Sequence, residues 1–288
     1  MRRFFSRPLF APSVSALRFP SNISGSDNTA PYAVIQFANP HTDGLPIWGP
    51  GGAGVTVFRR IKTYQQTGYY AQFWYSSSGD FSENYPPPLG YWGFHPYPTS
   101  QSNAGTVHEW EIAIDQGDYR ASGRVAAAPA TVPTGPAVTV VHGVWSTQAL
   151  RVQRISANEK LLTFYLNLPS TADADIVEVR VNTTNYGETT VASPLLTIGD
   201  SPWYSFYQHE RASCDIAQQM IVAKAMAEAD IATQGSNLNQ LNTADSAANI
   251  WWGKRFYSSV NDLTCDFGTG RAFVRNDSSN LLTVVEAA

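Results

Sequence analysis

The chain has 288 residues, enough for one large β domain or two small domains with a sizeable buried core, so a small disulfide scaffold is excluded. Charged residues make up only 15% of it, the formal net charge is −4 and no Lys/Arg cluster stands out, which excludes nucleic-acid binding. Aromatic residues reach 12%, with 21 glycines and 18 prolines, typical of a rigid, turn-rich chain. No run of about 18 apolar residues occurs, so no membrane span is predicted.

The N-terminal residues are basic. Before Asp27 the chain carries four arginines, at positions 2, 3, 7 and 18, and no acidic residue, a composition typical of a transit peptide. Three prolines in this stretch would break the amphipathic helix that such a peptide forms. We therefore predict that residues 1–11 are an uncleaved arm that docks on a neighbouring subunit.

Short β-branched or aromatic runs bounded by Gly, Pro, Asn and Asp follow along the chain, and helical periodicity is nearly absent. Strands are predicted over residues 32–37, 55–61, 69–75, 107–114, 137–141, 149–155, 161–166, 175–181 and 195–198. Such a pattern predicts an all-β antiparallel sandwich. On the strand at 107–114, Glu109 and Glu111 share one face, so they are candidates for a catalytic carboxylate pair.

Two stretches interrupt the strand pattern. Residues 80–101 are rich in Tyr and Pro, and a long loop is predicted there. Residues 213–233 contain the only helix candidate, because apolar residues recur there at helical spacing. Strand alternation over Ile216, Met220 and Val222 also fits, although Gln218 is then a polar interruption.

Cys214 and Cys265 have no Cys or His at metal-ligand spacing. Two free thiols are favoured, and a single disulfide stays open as the alternative. The five histidines are scattered singly, and no Gly-x-Ser-x-Gly motif occurs. No nucleophilic site is predicted.

Several segments, in this order, resemble the concanavalin A-like lectin/glucanase jelly roll of the laminin-G-like type. They are the Trp145-containing run 143–152, the strand 161–166, the Leu-x-Ile-Gly run 194–200, the return strand 215–222 and the motif 225–231. In the last, Met226 stands where the family has Leu and Asp230 where it has Glu. The resemblance covers about residues 11–233. It implies an antiparallel jelly-roll β-sandwich over 12–235, with one short helix after about Val222.

Glucanases of this fold carry three carboxylates on one strand face, because nucleophile and acid/base must flank the scissile bond. Here Ala113 stands where a central carboxylate is needed, so Glu109 and Glu111 are predicted to be a solvated strand face. No enzymatic activity is predicted. Relatives of the fold often hold calcium at a sandwich edge, so Asp200 is a weak calcium candidate and otherwise no cofactor is expected.

Glycan binding uses exposed aromatic rings, because the C–H faces of sugars stack on Trp and Tyr. The candidates are Tyr91, Trp92, Phe94 and Tyr97 in the long loop and Trp203, Tyr204 and Tyr207 after Asp200. Anchoring of the loops by buried rings is the alternative for the same residues.

Residues 236–288 lie beyond the resemblance and carry Trp251, Trp252, Phe267 and Phe273, too much apolar surface for a free tail. They are predicted to form an extension that packs on the sandwich or on a neighbour.

Our main hypothesis is a non-enzymatic virion subunit of a phage-like particle (capsid decoration, head fibre or tail-associated), a homo-oligomer localised to the virion with other virion proteins as partners. A carbohydrate-binding lectin or adhesin that recognises a surface glycan is the alternative, and a glucanase with a displaced catalytic pair is the second.

Overall fold

The computed structural model describes residues 14–19, 32–36, 54–63, 76–77, 90–97, 106–107, 109–114, 140–141, 143–156, 159–182, 194–199, 214–270, 272–276 and 281–287. The strands are β1 (Val14–Phe19), β2 (Tyr32–Gln36), β3 (Gly54–Thr63), β4 (Ser76–Ser77), β5 (Gly90–Tyr97), β6 (Thr106–Val107), β7 (Glu109–Ile114), β8 (Val140–Val141), β9 (Trp145–Ser156), β10 (Glu159–Leu168), β11 (Ile176–Asn182), β12 (Pro194–Gly199), β13 (Cys214–Val222), β14 (Ile250–Lys254), β15 (Phe267–Gly268), β16 (Val274–Asn276) and β17 (Thr283–Ala287). The helices are a 3-10 turn at Asp173–Asp175, α1 (Glu228–Gly235) and α2 (Ala244–Asn249).

Two antiparallel sheets dominate. A nine-stranded sheet has the order β11-β10-β9-β3-β13-β1-β17, with β14 also on β13 and β15 on β14. A six-stranded sheet has the order β16-β2-β12-β4-β5-β7, and β6 and β8 form a separate pair. Strands from the last 40 residues or so therefore pair with the chain's own β1, β2 and β13. No described helix is long and apolar enough to cross a membrane.

The strand pattern read from the sequence largely matches these elements, and the strand predicted over 69–75 lies outside the described residues. Two expectations were wrong. The predicted loop at 80–101 contains β5, which pairs with β7 so that Trp92 stands opposite Ile114. Its Tyr/Pro-rich sequence forms a strand because that partner supplies the hydrogen-bonding groups, a tertiary effect that overrides local propensity. A second helix, α2, follows α1 and begins at a capping box formed by Thr243 and Ser246.

Both faces of the nine-stranded sheet carry buried apolar residues. Val57, Leu150 and Ile221 are cross-strand neighbours and share one buried face. The face we call the helix face carries Phe58 with its cross-strand neighbours Ala149 and Met220. There these residues, with Tyr165, form a buried cluster with Met226, Ile231 and Leu238, which come from α1 and the segments on either side of it. Each large apolar side chain buried in this way contributes roughly 1.5–3 kcal/mol.

A β-bulge in β13 decides which of its residues reach the helix face. The register between β13 and β3 shifts between Ile216 and Gln218, leaving Ala217 as an extra residue. Asp215 and Gln218 consequently lie opposite Lys62 and Arg60, on the same face, although strict alternation would place them on opposite faces. The polar interruption in the alternating sequence pattern marks this bulge.

Buried charges connect β14 to the loop that follows it. The Lys254 ammonium, 2% exposed, binds Asp262 at 2.6 Å and Asp266 at 3.0 Å. Partial burial alone would raise the pKa of Asp262, but hydrogen bonds from Lys254 and Ser258 outweigh it and lower that pKa to about 2. The loop is thus fixed to the strand by two carboxylates on one cation.

Candidate functional site

A cleft of about 400 Å³ opens on the helix face, where the cover provided by α1 and its flanking segments stops. Its floor comes from β3, β9 and β13, and its walls come from the end of β10 and from the segment after α1. The lining residues are Arg60, Trp145, Ser146, Thr147, Asn167, Leu168, Gln218, Ser236, Asn237, Leu238 and Asn239. Most of these carry an amide, a hydroxyl or a guanidinium.

The floor is a cross-strand row of polar residues. Arg60 on β3 stands opposite Thr147 on β9 and opposite Gln218 on β13, so all three project from the helix face. The neighbouring row, two residues along each strand, is apolar and buried and includes Phe58. The change from apolar to polar therefore coincides with the edge of the helical cover.

Trp145 stands at one end of the floor, at the first position of β9. One side of this half-buried ring packs against a patch of small residues, Ala16, Ala217 and Ala287. The guanidinium carbon of Arg60 and the ammonium nitrogen of Lys62 each lie 5.8 Å from the ring centroid, within cation–π range. The small neighbours and the two cations together fix the ring at the edge of the cleft.

The wall after α1 is held by the buried side chain of Gln234. Its amide nitrogen donates to the carbonyl oxygens of Asn237 at 3.0 Å and of Gln240 at 2.8 Å. Its amide oxygen accepts from the backbone N–H of Asn242 at 2.9 Å and from the hydroxyl of Ser246 at 2.6 Å. A single amide thus satisfies four groups of an irregular segment and gives the wall a defined shape.

The amides of the lining are themselves oriented by hydrogen bonds. Gln218 donates from Nε2 to the side-chain oxygen of Asn239, which connects the floor to the wall across the cleft. The backbone N–H of Asn239 donates to the side chain of Asn237 at 2.8 Å. Asn167 donates to Asp175 at 2.6 Å at the opposite wall. Because a hydrogen bond holds one atom of each of these side-chain amides, the other polar atom of the same amide points in a fixed direction.

These features suit non-covalent recognition. No carboxylate lines the cleft among the residues that the structure describes, so it offers no acid/base pair there. Within the same residues no three His, Cys, Asp or Glu side chains come together to hold a metal ion. Both cysteines are free thiols, Cys214 buried and Cys265 half-buried. Burial raises the pKa of Cys214 well above its usual range, which keeps this thiol protonated and unreactive.

None of the aromatic candidates from the sequence is among the described residues that line this cleft. Tyr91, Trp92, Phe94 and Tyr97 lie on β5, a strand of the six-stranded sheet. Trp203, Tyr204, Tyr207 and the calcium candidate Asp200 lie outside the described residues. A glycan-binding role for these aromatic residues and a calcium role for Asp200 stay predictions, as does the docking of the arm at 1–11.

The residues that do form the cleft carried a weaker sequence signal. Trp145 stands out in the sequence only as part of a strand motif. Arg60 and Lys62 continue the even-numbered positions of β3 after Thr56 and Phe58, so the face turns charged towards one end of the strand. The asparagines at 237 and 239 lie beyond the predicted sandwich and are separated from β3 by well over a hundred residues, a proximity that only the fold creates.

No family model and no curated protein matches the chain. Among solved structures, the chain is similar to a native heptameric SAP-like pentraxin from Limulus polyphemus, with 11% identity and a TM-score of 0.50 over 96% of each chain. The fold is a jelly-roll β-sandwich. The likeness spans nearly the whole of both chains, so the prediction of an antiparallel jelly-roll β-sandwich is confirmed.

Two further similarities are more distant. A sialidase CBM40 from Ruminococcus gnavus, solved with α2,6-sialyllactose, is 10% identical, with a TM-score of 0.34 over 68% of this chain and 93% of that one. A scytalido-glutamic peptidase is 7% identical, with a TM-score of 0.31 over 68% and 82%. Likeness at this level carries no argument about function.

Proposed function

We propose that this chain is a carbohydrate-binding module of the lectin type whose site is the cleft beside Trp145. The observation that carries the proposal is the composition of the lining: one half-buried tryptophan at the edge of a floor and walls made of amides and hydroxyls. Sugar rings present apolar C–H faces and a dense set of hydroxyls. The part of the indole that lines the cleft would contact the former, and Thr147, Gln218 and Asn237 would hydrogen-bond the latter.

The fold is consistent with this proposal without deciding it, because jelly rolls host many unrelated functions. The pentraxin that the chain is similar to is described as heptameric, and a homo-oligomer is a natural arrangement for a module that binds repeating glycans through several weak sites. A role as a virion subunit stays a prediction from the sequence, since no described residue bears on it. The absence of enzymatic activity likewise stays a prediction.

The test is binding to a glycan array followed by titration calorimetry with the best oligosaccharide. Trp145→Ala should reduce affinity at least about tenfold, because truncation of an aromatic hot-spot contact costs about 2 kcal/mol or more. Trp145→Phe keeps packing against Ala16 and should retain part of the binding. The control is Val144→Ala, at an adjacent residue that is 57% exposed and does not line the cleft.

Two results would contradict the proposal. One is the failure of the native chain to bind any glycan on the array. The other is full binding by a folded Trp145→Ala variant combined with loss of binding in Trp92→Ala, which would move the site to the β5 aromatic residues. Thermal melting of each variant separates loss of binding from loss of folding.

A further inference from the structure

The floor of the cleft extends across four neighbouring strands. Gln218 on β13, Arg60 on β3 and Thr147 on β9 form one cross-strand row. Leu168 on β10 is the cross-strand partner of Thr147 and continues the row. All four residues line the cleft. Neighbouring strands lie about 4.8 Å apart, so the row from Gln218 to Leu168 is roughly 14 Å long.

The wall after α1 follows this row from one end to the other. At the β10 end, Gly235 lies so close to Leu168 that an added Cβ would be 2.6 Å from the Cδ1 atom of that side chain. At the β13 end, Gln218 donates a hydrogen bond to the side chain of Asn239. The residues between these two contacts, from Ser236 to Asn239, all line the cleft. Floor and wall therefore enclose a groove that runs across the strands.

Polar groups are distributed along the whole groove. At the β13 end, Oε1 of Gln218 and the amide nitrogen of Asn239 make no hydrogen bond with another described residue and can bind a ligand. The hydroxyl of Thr147 lies on the third strand of the row. At the β10 end, the amide nitrogen of Asn167 donates to Asp175 at 2.6 Å, which leaves its carbonyl oxygen as an acceptor. A ligand that used the groups at both ends would have to be as long as the row.

We propose that the cleft binds a run of three consecutive sugars of an oligosaccharide, lying along the row from Gln218 to Leu168, and not one terminal sugar alone. This inference rests on the proposed function of the same cleft. A pyranose with its glycosidic oxygen is similar in length to one strand spacing, roughly 5 Å, so three sugars match the three spacings of the row. Trp145 lies two residues before Thr147 on β9 and borders the groove between its ends.

The ligand test varies the length of the saccharide. The glycans retained on an array should share a run of three linked sugars, with different sugars tolerated outside that run. Cello- and chito-oligosaccharides of one to five residues are then titrated by calorimetry. In a series that binds, the second and third sugars should each raise affinity about three- to tenfold, the gain expected from one net hydrogen bond. The fourth and fifth should add less than about twofold, since they would extend past the row.

The protein test changes one residue at each end of the groove. Asn167→Ala alters the β10 end and Asn239→Ala the β13 end, and both asparagines are exposed and line the cleft. Each variant should lower affinity for the trisaccharide that the array identifies by about three- to tenfold. Because one sugar cannot reach both ends, affinity for the monosaccharide should fall in no more than one variant. Asn261→Ala, at an exposed asparagine outside the lining, is the control and should leave both affinities unchanged.

The failures of the two proposals are distinguishable. Affinity that stops rising at the first or second sugar, retained glycans that share only a terminal monosaccharide, or an unchanged trisaccharide affinity in either end variant would overturn this inference and leave carbohydrate binding intact. Binding to no glycan on the array would instead overturn the proposed function. Circular dichroism on each variant verifies that the fold is retained.

Discussion

The helix face of the nine-stranded sheet has a covered half and an open half. The same strands contribute to both, and the cross-strand rows compared here are two positions apart along each strand. In the covered half, Phe58, Ala149 and Met220 pack under α1 and its flanking segments and are essentially inaccessible to solvent. In the open half, Arg60, Thr147 and Gln218 occupy the next cross-strand row and line the cleft.

The difference between the halves is set by where the cover ends. A helix of eight residues is only about 12 Å long, so it hides part of a sheet face and leaves the rest to solvent. One sheet thereby serves as a scaffold in one half and as the floor of a polar cleft in the other. A cleft positioned by rigid strands keeps its lining side chains in fixed relative positions, as specific recognition requires.

The largest expected effect is a difference in stability between a variant in the covered half and a variant in the open half. Phe58→Ala should lower the free energy of unfolding by about 3–5 kcal/mol, because it leaves a cavity beneath α1. Arg60→Gln, two residues along β3, should change it by less than about 1 kcal/mol, since the side chain is partly exposed. Urea denaturation of both variants measures the contrast, and equal losses would show that the two halves are not distinct.

An intermediate effect is expected at the boundary, where Gln234 organises the cleft wall. Gln234→Ala should cost about 2–3 kcal/mol, because several buried hydrogen-bonding groups lose their partner. It should also weaken saccharide binding, since the segment carrying Asn237 and Asn239 loses its support. Thr233→Ala, at the adjacent exposed position, is the control and should leave binding unchanged. Denaturation and calorimetry on both variants check this, and native binding in Gln234→Ala would show that the wall is shaped by other contacts.

The smallest expected effect is the change in stability caused by replacing Gly235 with Ala, and the prediction concerns its sign. In an open helix, replacement of Gly by Ala stabilises by up to about 1 kcal/mol. At Gly235 an added Cβ would lie 2.6 Å from Cδ1 and 2.8 Å from Cβ of Leu168, which lines the cleft, so Gly235→Ala should destabilise by about 1–2 kcal/mol. Ala229→Gly, at an exposed position of the same helix, measures the propensity alone. A gain in melting temperature for Gly235→Ala would mean that Leu168 moves aside at little cost.

Prediction from sequence succeeded where the signal is local. The short runs of β-branched and aromatic residues at β3, β9 and β10 indicated strands, because such side chains fit the pleated surface of a sheet. It failed at β5, whose Tyr- and Pro-rich residues form a strand through pairing with β4 and β7. It also left α2 unpredicted, since six residues capped by Thr243 and Ser246 are too few to display a periodic stripe.

The same contrast between local sequence signals and tertiary contacts is stronger for the residues of the cleft. Their places in predicted loops favour Trp92 and Trp203 as glycan-binding candidates, whereas the cleft lies at Trp145. The surroundings of Trp145 depend on where Arg60 and Lys62 arrive from another strand. No local sequence pattern indicates that these residues from different strands come together.

By itself, the sequence determined the fold class, because strand alternation, turn residues and the order of motifs are properties of neighbouring residues. Only the tertiary structure decided which polar residues meet. The bulge at Ala217 sets the face to which Asp215 and Gln218 belong, and the end of α1 sets where the cover stops. Both follow from packing between segments far apart in the chain, and such contacts are formed only once the sheet is assembled.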